Sequence, residues 1–433
     1  MSQTPQPVAQ QETSSNRLST TLWIMVVAGC LIGLVAFGIR SSFGLFVDPI
    51  SGKGEGAFGF GREAFAFALA IQNLAWGIGQ PIAGALADRY GPWRVLAGGG
   101  VIFASGLGLM TVSSDTTSFT ITAGLLIGLG MSGAGHNTVL AAFGQLMPPE
   151  RRAWAMGLGT ATASLGQFLV VPVGQAFIEA YGWAGAVSIM AIAMALTPGL
   201  ALALRPRKRK EGQAPRAVQP TTSTAVSLPQ ALRQAFGYGS YWLLISGFFV
   251  CGFQLAFITV HLPPYLNDLG ISARTASWAI ALIGLFNVIG GYASGMISAR
   301  YSRRLFLFWI YIARAVVTAA FLLLPVSNFN TLLFGAAMGL LWLSTVPPTV
   351  QLVGVMFGNR YLSTLFGFVF LSHQVGAFVG VWAGGLLYTA TGHYELVWWA
   401  SVGLAVFAAV VHLPIYEKLY PKAAPAPAPS SVA

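Results

Sequence analysis

Hydrophobic positions along this chain come as long uninterrupted blocks, with polar and charged residues gathered into short stretches between them. Neither the two-residue period of a strand nor the narrow stripe of a surface helix describes that pattern. A helix that crosses a bilayer needs about 20 mostly apolar residues. Twelve blocks meet that length: 22–47, 64–87, 95–113, 119–145, 153–178, 183–204, 241–266, 273–298, 305–325, 331–357, 361–388 and 396–416. The pattern predicts an all-α membrane protein of twelve transmembrane helices. The longest polar stretch, 205–239, carries RPRKRKEGQAPR and a Ser/Thr/Pro run and separates six spans from six. It reads as a cytoplasmic linker between an N-terminal six-helix bundle, 22–204, and a C-terminal one, 240–416. The polar residues 1–21 and the segment 417–433, which ends in AAPAPAPSSVA, read as disordered cytoplasmic tails.

Composition removes the soluble alternative. Of the 433 residues 55% are apolar and 8% charged, against roughly 25% charged in an average soluble domain. That is too few charges to cover a water-facing surface, so the lipid bilayer is the expected solvent. The net charge of +11 is explained by topology. With the N-terminus inside, the inner segments hold 18 basic residues, and the outer ones hold only Lys53, Arg62 and Arg274. The positive-inside rule then predicts a multi-pass protein of the cell membrane, an inner membrane in a bacterium, with both termini cytoplasmic. Nucleic acid is not an expected partner, and a monomer is expected. Cys30 and Cys251 both lie in apolar blocks, which gives neither a disulfide framework nor a metal-ligand spacing. No metal and no cofactor are expected. Gly128-Leu129-Gly130-Met131-Ser132-Gly133 satisfies GxGxxG but sits inside a span with no strand before it, so dinucleotide binding is not implied. With no nucleophile beside a base in view, the chain does not read as an enzyme.

Compared at an offset near 211 to 219, the two halves repeat. Trp23 and Gly33 fall on Trp242 and Gly252, Gly84, Arg89 and Tyr90 on Gly295, Arg300 and Tyr301, and Gly124 and Gly128 on Gly335 and Gly339. Gly157, Gly166, Gly174 and Gly182 fall on Gly367, Gly376, Gly384 and Gly392. A register shared by four pairs of spans marks a six-plus-six duplication, which puts a substrate cavity between the halves near mid-membrane.

The segment after span 2, Gly84-Ala85-Leu86-Ala87-Asp88-Arg89-Tyr90-Gly91-Pro92-Trp93-Arg94, resembles the GxLaDRxGxR loop of the major facilitator superfamily. Together with the twelve spans and the basic linker, the resemblance covers nearly the whole chain and implies the major facilitator fold. It also implies cytoplasmic gating by Asp88, Arg89 and Arg94, which would latch that side when the protein opens outward. The second copy, Ser298-Ala299-Arg300-Tyr301-Ser302-Arg303-Arg304, has Ala299 where the first has Asp88. A narrower resemblance starts at span 5. Arg151-Arg152-Ala153-Trp154-Ala155-Met156-Gly157 and Ser164-Leu165-Gly166 look like the start of that span in monocarboxylate transporters and the related oxalate–formate antiporters. In that branch, substrate-facing polar residues of span 4 stand a fixed distance before the Arg pair, at positions held here by His136, Asn137 and Thr138. Two features of the branch are missing. Gly38-Ile39-Arg40-Ser41-Ser42-Phe43 replaces its acidic motif in span 1, and Asn287 and Gly291 replace its Asp and Arg one turn apart in span 8.

None of the 12 acidic residues falls mid-span, whereas Arg40 and Arg314 are basic residues that lie inside predicted helices. Arg314 is ten residues past Arg304, about 15 Å or half of the hydrocarbon core. An arginine there costs at least about 2.5 kcal/mol and normally faces a cavity with a partner. With no carboxylate at its depth, the expected partner is an anionic substrate, and a guanidinium favours a carboxylate because it holds two oxygens at once. The other reading is that Arg314 caps carbonyls of a broken helix. Arg40 lies in the outer part of span 1 on the stripe Gly33, Ala36, Arg40, Gly44. It either faces neighbouring helices or snorkels toward Asp48. Three histidines lie inside spans. His261 precedes Pro263 and Pro264, where a broken span 7 would line a cavity with Tyr265 beyond it. His136 neighbours Asn137 in span 4, and His373 and Gln374 lie mid-depth in span 11. The resulting expectation is a secondary active transporter that moves a small organic anion, a monocarboxylate, by alternating access. Arg40, Asn137, His261, Tyr265, Arg314, His373 and Gln374 are the expected substrate-binding residues. Coupling is either proton symport, with the proton on a histidine or on the substrate, or anion exchange. The alternatives are efflux of amphipathic drugs and a transporter-derived sensor without flux.

Overall fold

A computed structural model of the protein describes residues 20–52, 59–205, 227–358 and 361–420. The helices in it follow the apolar blocks. The first half holds α1 (Thr20–Ser41), α2 (Gly61–Tyr90), α3 (Pro92–Met110), α4 (Ile127–Ala134, reached through the π-helical stretch Thr120–Leu126), α5 (His136–Leu146), α6 (Pro149–Ala195) and α7 (Thr197–Leu202). The second half holds α8 (Leu228–Phe236), α9 (Gly239–Asp268), α10 (Ala273–Arg300), α11 (Arg303–Leu323), α12 (Asn328–Leu341), α13 (Val346–Phe357), α14 (Leu362–Thr391) and α15 (Glu395–His412). Among the described residues ten helices, some of them composite, are long and apolar enough to cross a membrane. One of the ten contains two spans. Gly182 in α6 adopts φ 69° and ψ 173°, open to glycine but not to an L side chain. The chain folds back there far enough for Met190 to meet Gly174. With α2, whose 30 residues pack against α4 and α14, the described helices are consistent with twelve spans in two six-helix repeats.

The helix breaks fall at other places than Pro263 and Pro264. α9 runs unbroken through both prolines, contrary to the broken span 7 expected from sequence. A proline cannot donate to the carbonyl four residues back, which here frees the carbonyls of Thr259 and Val260. The backbone of Gly44, from the other half, packs directly on those two oxygens, where any side chain would collide with them. The interruptions come instead at equivalent points of the two halves. Gly135 is extended between α4 and α5, and residues 342–345 leave the helix between α12 and α13, just before Pro347 and Pro348.

The expected linker 205–239 is partly ordered: α8 carries a capping box from Ser227 and Gln230 and buries Ala231 and Ala235. Residues 206–226, the first nineteen residues and the last thirteen lie outside the described residues, and with them most of the predicted linker and tails. The boundary at 417 shifts, because Glu417 is bound into the second half, as detailed below.

Each half has its own apolar core, and Ala256, Val260, Ala377 and Val381 of α9 and α14 join the core of the first half. Among the described residues the seam is made by the 3-10 stretch Phe43–Phe46 after α1 against α9, by α2 against α14, and by α6 against α10. One end of the bundle, called here the basic face, carries Arg89, Arg94, Arg233, Arg300, Arg303 and Arg304, and the opposite face carries Arg62 and Arg274. On the opposite face the halves are tied by charge. Arg62 donates to Asp268 at 2.7 Å and to Asp48 at 2.7 Å, Asn267 donates to Asp48 at 2.8 Å, and Arg274 reaches Glu179 at 3.0 Å. Toward the basic face the contact lasts as far as Gly77 against Gln374 and Asn287 against Ser164, the latter a 2.9 Å hydrogen bond. Beyond that level a Cβ built on Gly84, Gly157, Gly291, Gly295 or Gly367 would meet nothing within 4 Å. The hydrogen bonds and ion pairs that tie the halves gather toward the face opposite the basic one, and on that distribution the cleft between the halves opens to the basic face.

Candidate functional site

The closed end of that cleft is built around Arg40. Its Nη2 donates to Asn73 Oδ1 at 2.9 Å, and its guanidinium carbon lies 5.1 Å from the centre of the Trp76 ring. Asn73 and Trp76 are near the middle of α2, so Arg40 sits deep in the bundle. Asp48, the snorkelling partner considered from sequence, is occupied by Arg62 and Asn267. Arg40 therefore turns inward, toward a small pocket it shares with Gln72 and Asn73 of one half and Ala256, Thr259 and Val260 of the other. It makes none of the ion pairs among the described residues. One turn further along α2, Gln80 Oε1 accepts from the Trp76 indole N–H at 3.0 Å and faces Asn137 Nδ2 at 3.5 Å. Asn137 and its half-buried neighbour His136 open α5, where the break at Gly135 presents them, and the His136 ring lies 6.1 Å from Phe37.

Across the seam, Trp76 meets Phe370 of α14 edge-on at 5.5 Å, and Phe370 stacks parallel to His373 at 5.8 Å. His373 Nδ1 is 3.1 Å from Gln374 Oε1, and the His373 backbone packs tightly on Gly252, the neighbour of Cys251 in α9. Gln374 is fully buried, yet its Nε2 has no hydrogen-bond partner among the described residues. Contact continues from Cys251 to Arg314 Nη1 at 3.5 Å. The two intramembrane arginines thus end one chain of contacts that crosses the seam through Trp76, Phe370 and His373.

Their surroundings differ. Arg314 is wholly buried. Its Nε and Nη2 donate to the Leu341 carbonyl at 3.2 and 2.7 Å, Nη2 also donates to the Trp342 carbonyl, and the guanidinium lies over Tyr311. These carbonyls end α12, so in this conformation Arg314 caps the broken helix. The sequence-based premise that it lacks a partner within the protein does not hold. His261 is likewise enclosed. Its Nε2–H donates to the Val381 carbonyl at 2.8 Å, and its Nδ1 faces the Tyr394 hydroxyl at 3.3 Å. Because α9 is continuous, no broken helix opens a cavity beside it. Tyr265 packs in an aromatic cluster with Phe321, Tyr394 and Trp398. The structure therefore brings Arg40 and Asn137 to the cleft, places the buried His373 and Gln374 at the seam beside it, and leaves His261, Tyr265 and Arg314 inside the second bundle.

A family model described as Major Facilitator Superfamily matches residues 25–350 and 247–432. The chain belongs to the major facilitator superfamily. Among similar proteins, an uncharacterized MFS-type transporter YcxA of Bacillus subtilis (strain 168) is 24% identical, with 92% of this chain and 96% of that protein covered. Monocarboxylate transporter 13 of Rattus norvegicus is 26% identical over 86% of this chain and 83% of its own. Among solved structures, a bacterial homolog of the human lysosomal transporter Spinster, inward-facing and unoccupied, superposes with a TM-score of 0.72 at 14% identity. It covers 92% of this chain and 97% of that one. The D-xylose–proton symporter gives 0.67 at 17% identity, with 92% and 99% covered.

In this major facilitator transporter the loop after α2 makes no hydrogen bond or ion pair to the second half among the described residues. Asp88 accepts from Gln145 Nε2 at 2.9 Å, Arg89 lies over the ring of Tyr90, and Arg94 lies over that of Trp93. All three are exposed on the basic face. The sequence reading passed over Asn73, Trp76, Gln80 and Phe370. The first three were visible as a polar stripe at helical spacing through an otherwise apolar span, but Phe370 had no signal of its own. It also passed over Arg62, read as a loop charge, which joins both halves.

Proposed function

We propose that the protein carries a small organic anion, a monocarboxylate, across the cell membrane by alternating access, as proton symport or anion exchange. The observation that carries this reading is Arg40: a cation at the closed end of the cleft, half-buried, with an amide and an indole ring but no carboxylate beside it. Such a charge is stable there if an anion joins it, and a guanidinium holds both oxygens of a carboxylate. Asn137, His373 and Gln374 supply further donors on the two sides of the cleft. Arg314 contributes by holding the break in the second half. The names of the monocarboxylate transporters among the relatives support the same class. With the basic face taken as cytoplasmic by the positive-inside rule, the conformation described is open inward and closed outward by Arg62, Asp48 and Asp268. Asp88, Arg89 and Arg94 then wait to latch the inner side in the opposite state.

The test is uptake of radiolabelled monocarboxylates into proteoliposomes by the wild type and Arg40→Gln. Losing a charge-assisted pair in a desolvated site should lower uptake by at least about tenfold, with little change in melting temperature. Equal uptake by the variant would rule the anchor out.

A further inference from the structure

We infer that the site selects monocarboxylates whose body is a flat aromatic ring, with the carboxylate held by Arg40 and the ring laid along Trp76 and Phe370. The inference rests on the anion reading above and adds the shape of the cargo. The Arg40 guanidinium lies 5.1 Å from the Trp76 ring centre, so a carboxylate bound on the Trp76 side of Arg40 brings the rest of its molecule alongside that indole. The indole N–H is already committed to Gln80 at 3.0 Å, so Trp76 offers a ligand its apolar surface and not a donor. Phe370 meets that ring from the other half at 5.5 Å and lies parallel to His373 at 5.8 Å. Phe37, three residues before Arg40, is half-buried and adds another ring at the same level.

Aromatic rings attract another ring in edge-on or offset contact at centroid separations of about 4.5–7 Å. Acids of two or three carbons are too short to reach from Arg40 past the buried Trp76 to the half-buried Phe370 ring. A benzoate-sized anion satisfies both parts of the site with one rigid body. Trp76 and Phe370 come from opposite halves, so a ring against both also bridges the seam.

The experiment is a thermal-shift titration of the purified full-length protein with benzoate, cyclohexanecarboxylate, lactate, acetate and neutral benzamide, followed by counterflow of radiolabelled benzoate. Benzoate should act at concentrations at least about tenfold below lactate and acetate, with cyclohexanecarboxylate between them, since it matches benzoate in carbon count but is not flat. Trp76→Leu should bring benzoate to within about twofold of lactate. The wild-type ranking stands as evidence even if that variant folds poorly, and Phe370→Leu gives a second variant on the opposite half. If lactate and acetate match or surpass benzoate, the ring preference is overturned and the anion reading survives. If benzamide matches benzoate, or no carboxylate acts at all, the anion reading itself is overturned.

Discussion

The two halves of the molecule share one plan and finish it with different chemistry. In the first half, Gly130 packs tightly on the backbone of Phe103, a fully buried apolar residue. At the repeat-related place in the second half, Arg314 donates to the carbonyl of Leu341. Both pairs stand just before a helix break. In the first half the freed Ser132 carbonyl accepts from the Thr138 hydroxyl at 2.9 Å, and α5 then opens with the half-buried His136 and Asn137 facing the cleft. In the second half the break is held from several sides. Arg314 takes the carbonyls of Leu341 and Trp342, Asn287 Oδ1 accepts from the Leu343 amide at 2.9 Å, and Ser294 donates to the Ser344 carbonyl. Pro347 and Pro348 leave α13 without amide donors at that end. One break is pinned and the other is left to face a ligand. The two intramembrane arginines therefore differ: Arg314 holds a helix together, and Arg40 is the anion anchor of the proposed function.

The largest expected effect separates them directly. Arg314→Met leaves two buried carbonyls without donors, each costing about 1–3 kcal/mol, so the melting temperature should fall sharply. Thr138→Val, its counterpart in the first half, removes one neutral hydrogen bond and should cost about 1 kcal/mol. If Arg314→Met melts like the wild type and only transport is lost, the capping role is wrong and Arg314 joins Arg40 as an anchor.

A second contrast lies on the basic face. Glu417 makes up for the acid the second loop lacks at Ala299. Its Oε1 accepts from Ser302 Oγ at 2.7 Å and from the Arg304 amide at 2.6 Å, at the start of α11. Asp88, in the first loop, is exposed and bound only within its own half. Glu417→Ala should therefore cost about 1 kcal/mol of stability, as for loss of a helix N-cap. Asp88→Ala should leave the melt unchanged and slow transport by about tenfold. Matching losses of stability in the two variants would mean that the loops are not specialised.

The membrane plan was legible because it depends on composition in long windows: apolar blocks, glycine register and the sorting of charge by face all survive ignorance of contacts. The breaks were not, because they depend on what meets a freed carbonyl. Pro263-Pro264 and Pro347-Pro348 look alike in the sequence. The first pair sits in a continuous helix with Gly44 pressed against the carbonyls it frees, and the second follows a break held by Arg314, Asn287 and Ser294. The site was legible in part for the same reason. Arg40, Asn137, His373 and Gln374 stood out as polar residues in apolar spans, but nothing in the chain distinguishes a histidine facing a cleft from His261, whose two nitrogens are used inside a bundle. Arg62 looked like one of a few scattered loop charges, and only the fold brings Asp48 and Asp268 to it.

The smallest expected effect concerns the seam where the halves meet. Its two ties on the face opposite the basic one are unequal. Arg62 has a side chain only 13% exposed, two carboxylate partners and the ring of Tyr388 at 4.3 Å, whereas Arg274 and Glu179 are 74% and 41% exposed. The Arg274 guanidinium, with help from Gln175, holds the Glu179 carboxyl below its ordinary value. A carboxyl lowered in this way contributes stability that is complete above its ordinary value and is lost as the pH falls through the lowered one. Acidification should therefore loosen the Arg274–Glu179 tie, by about a few tenths of a kcal/mol for so exposed a pair. Added salt should weaken it at neutral pH, while the shielded Arg62 cluster holds. Energy transfer between fluorophores placed across that face would report the change. In Glu179→Gln the acid response of that face should shrink. An undiminished response in that variant would assign the pH sensitivity to the Arg62 cluster and make it, despite its burial, the weaker of the two ties.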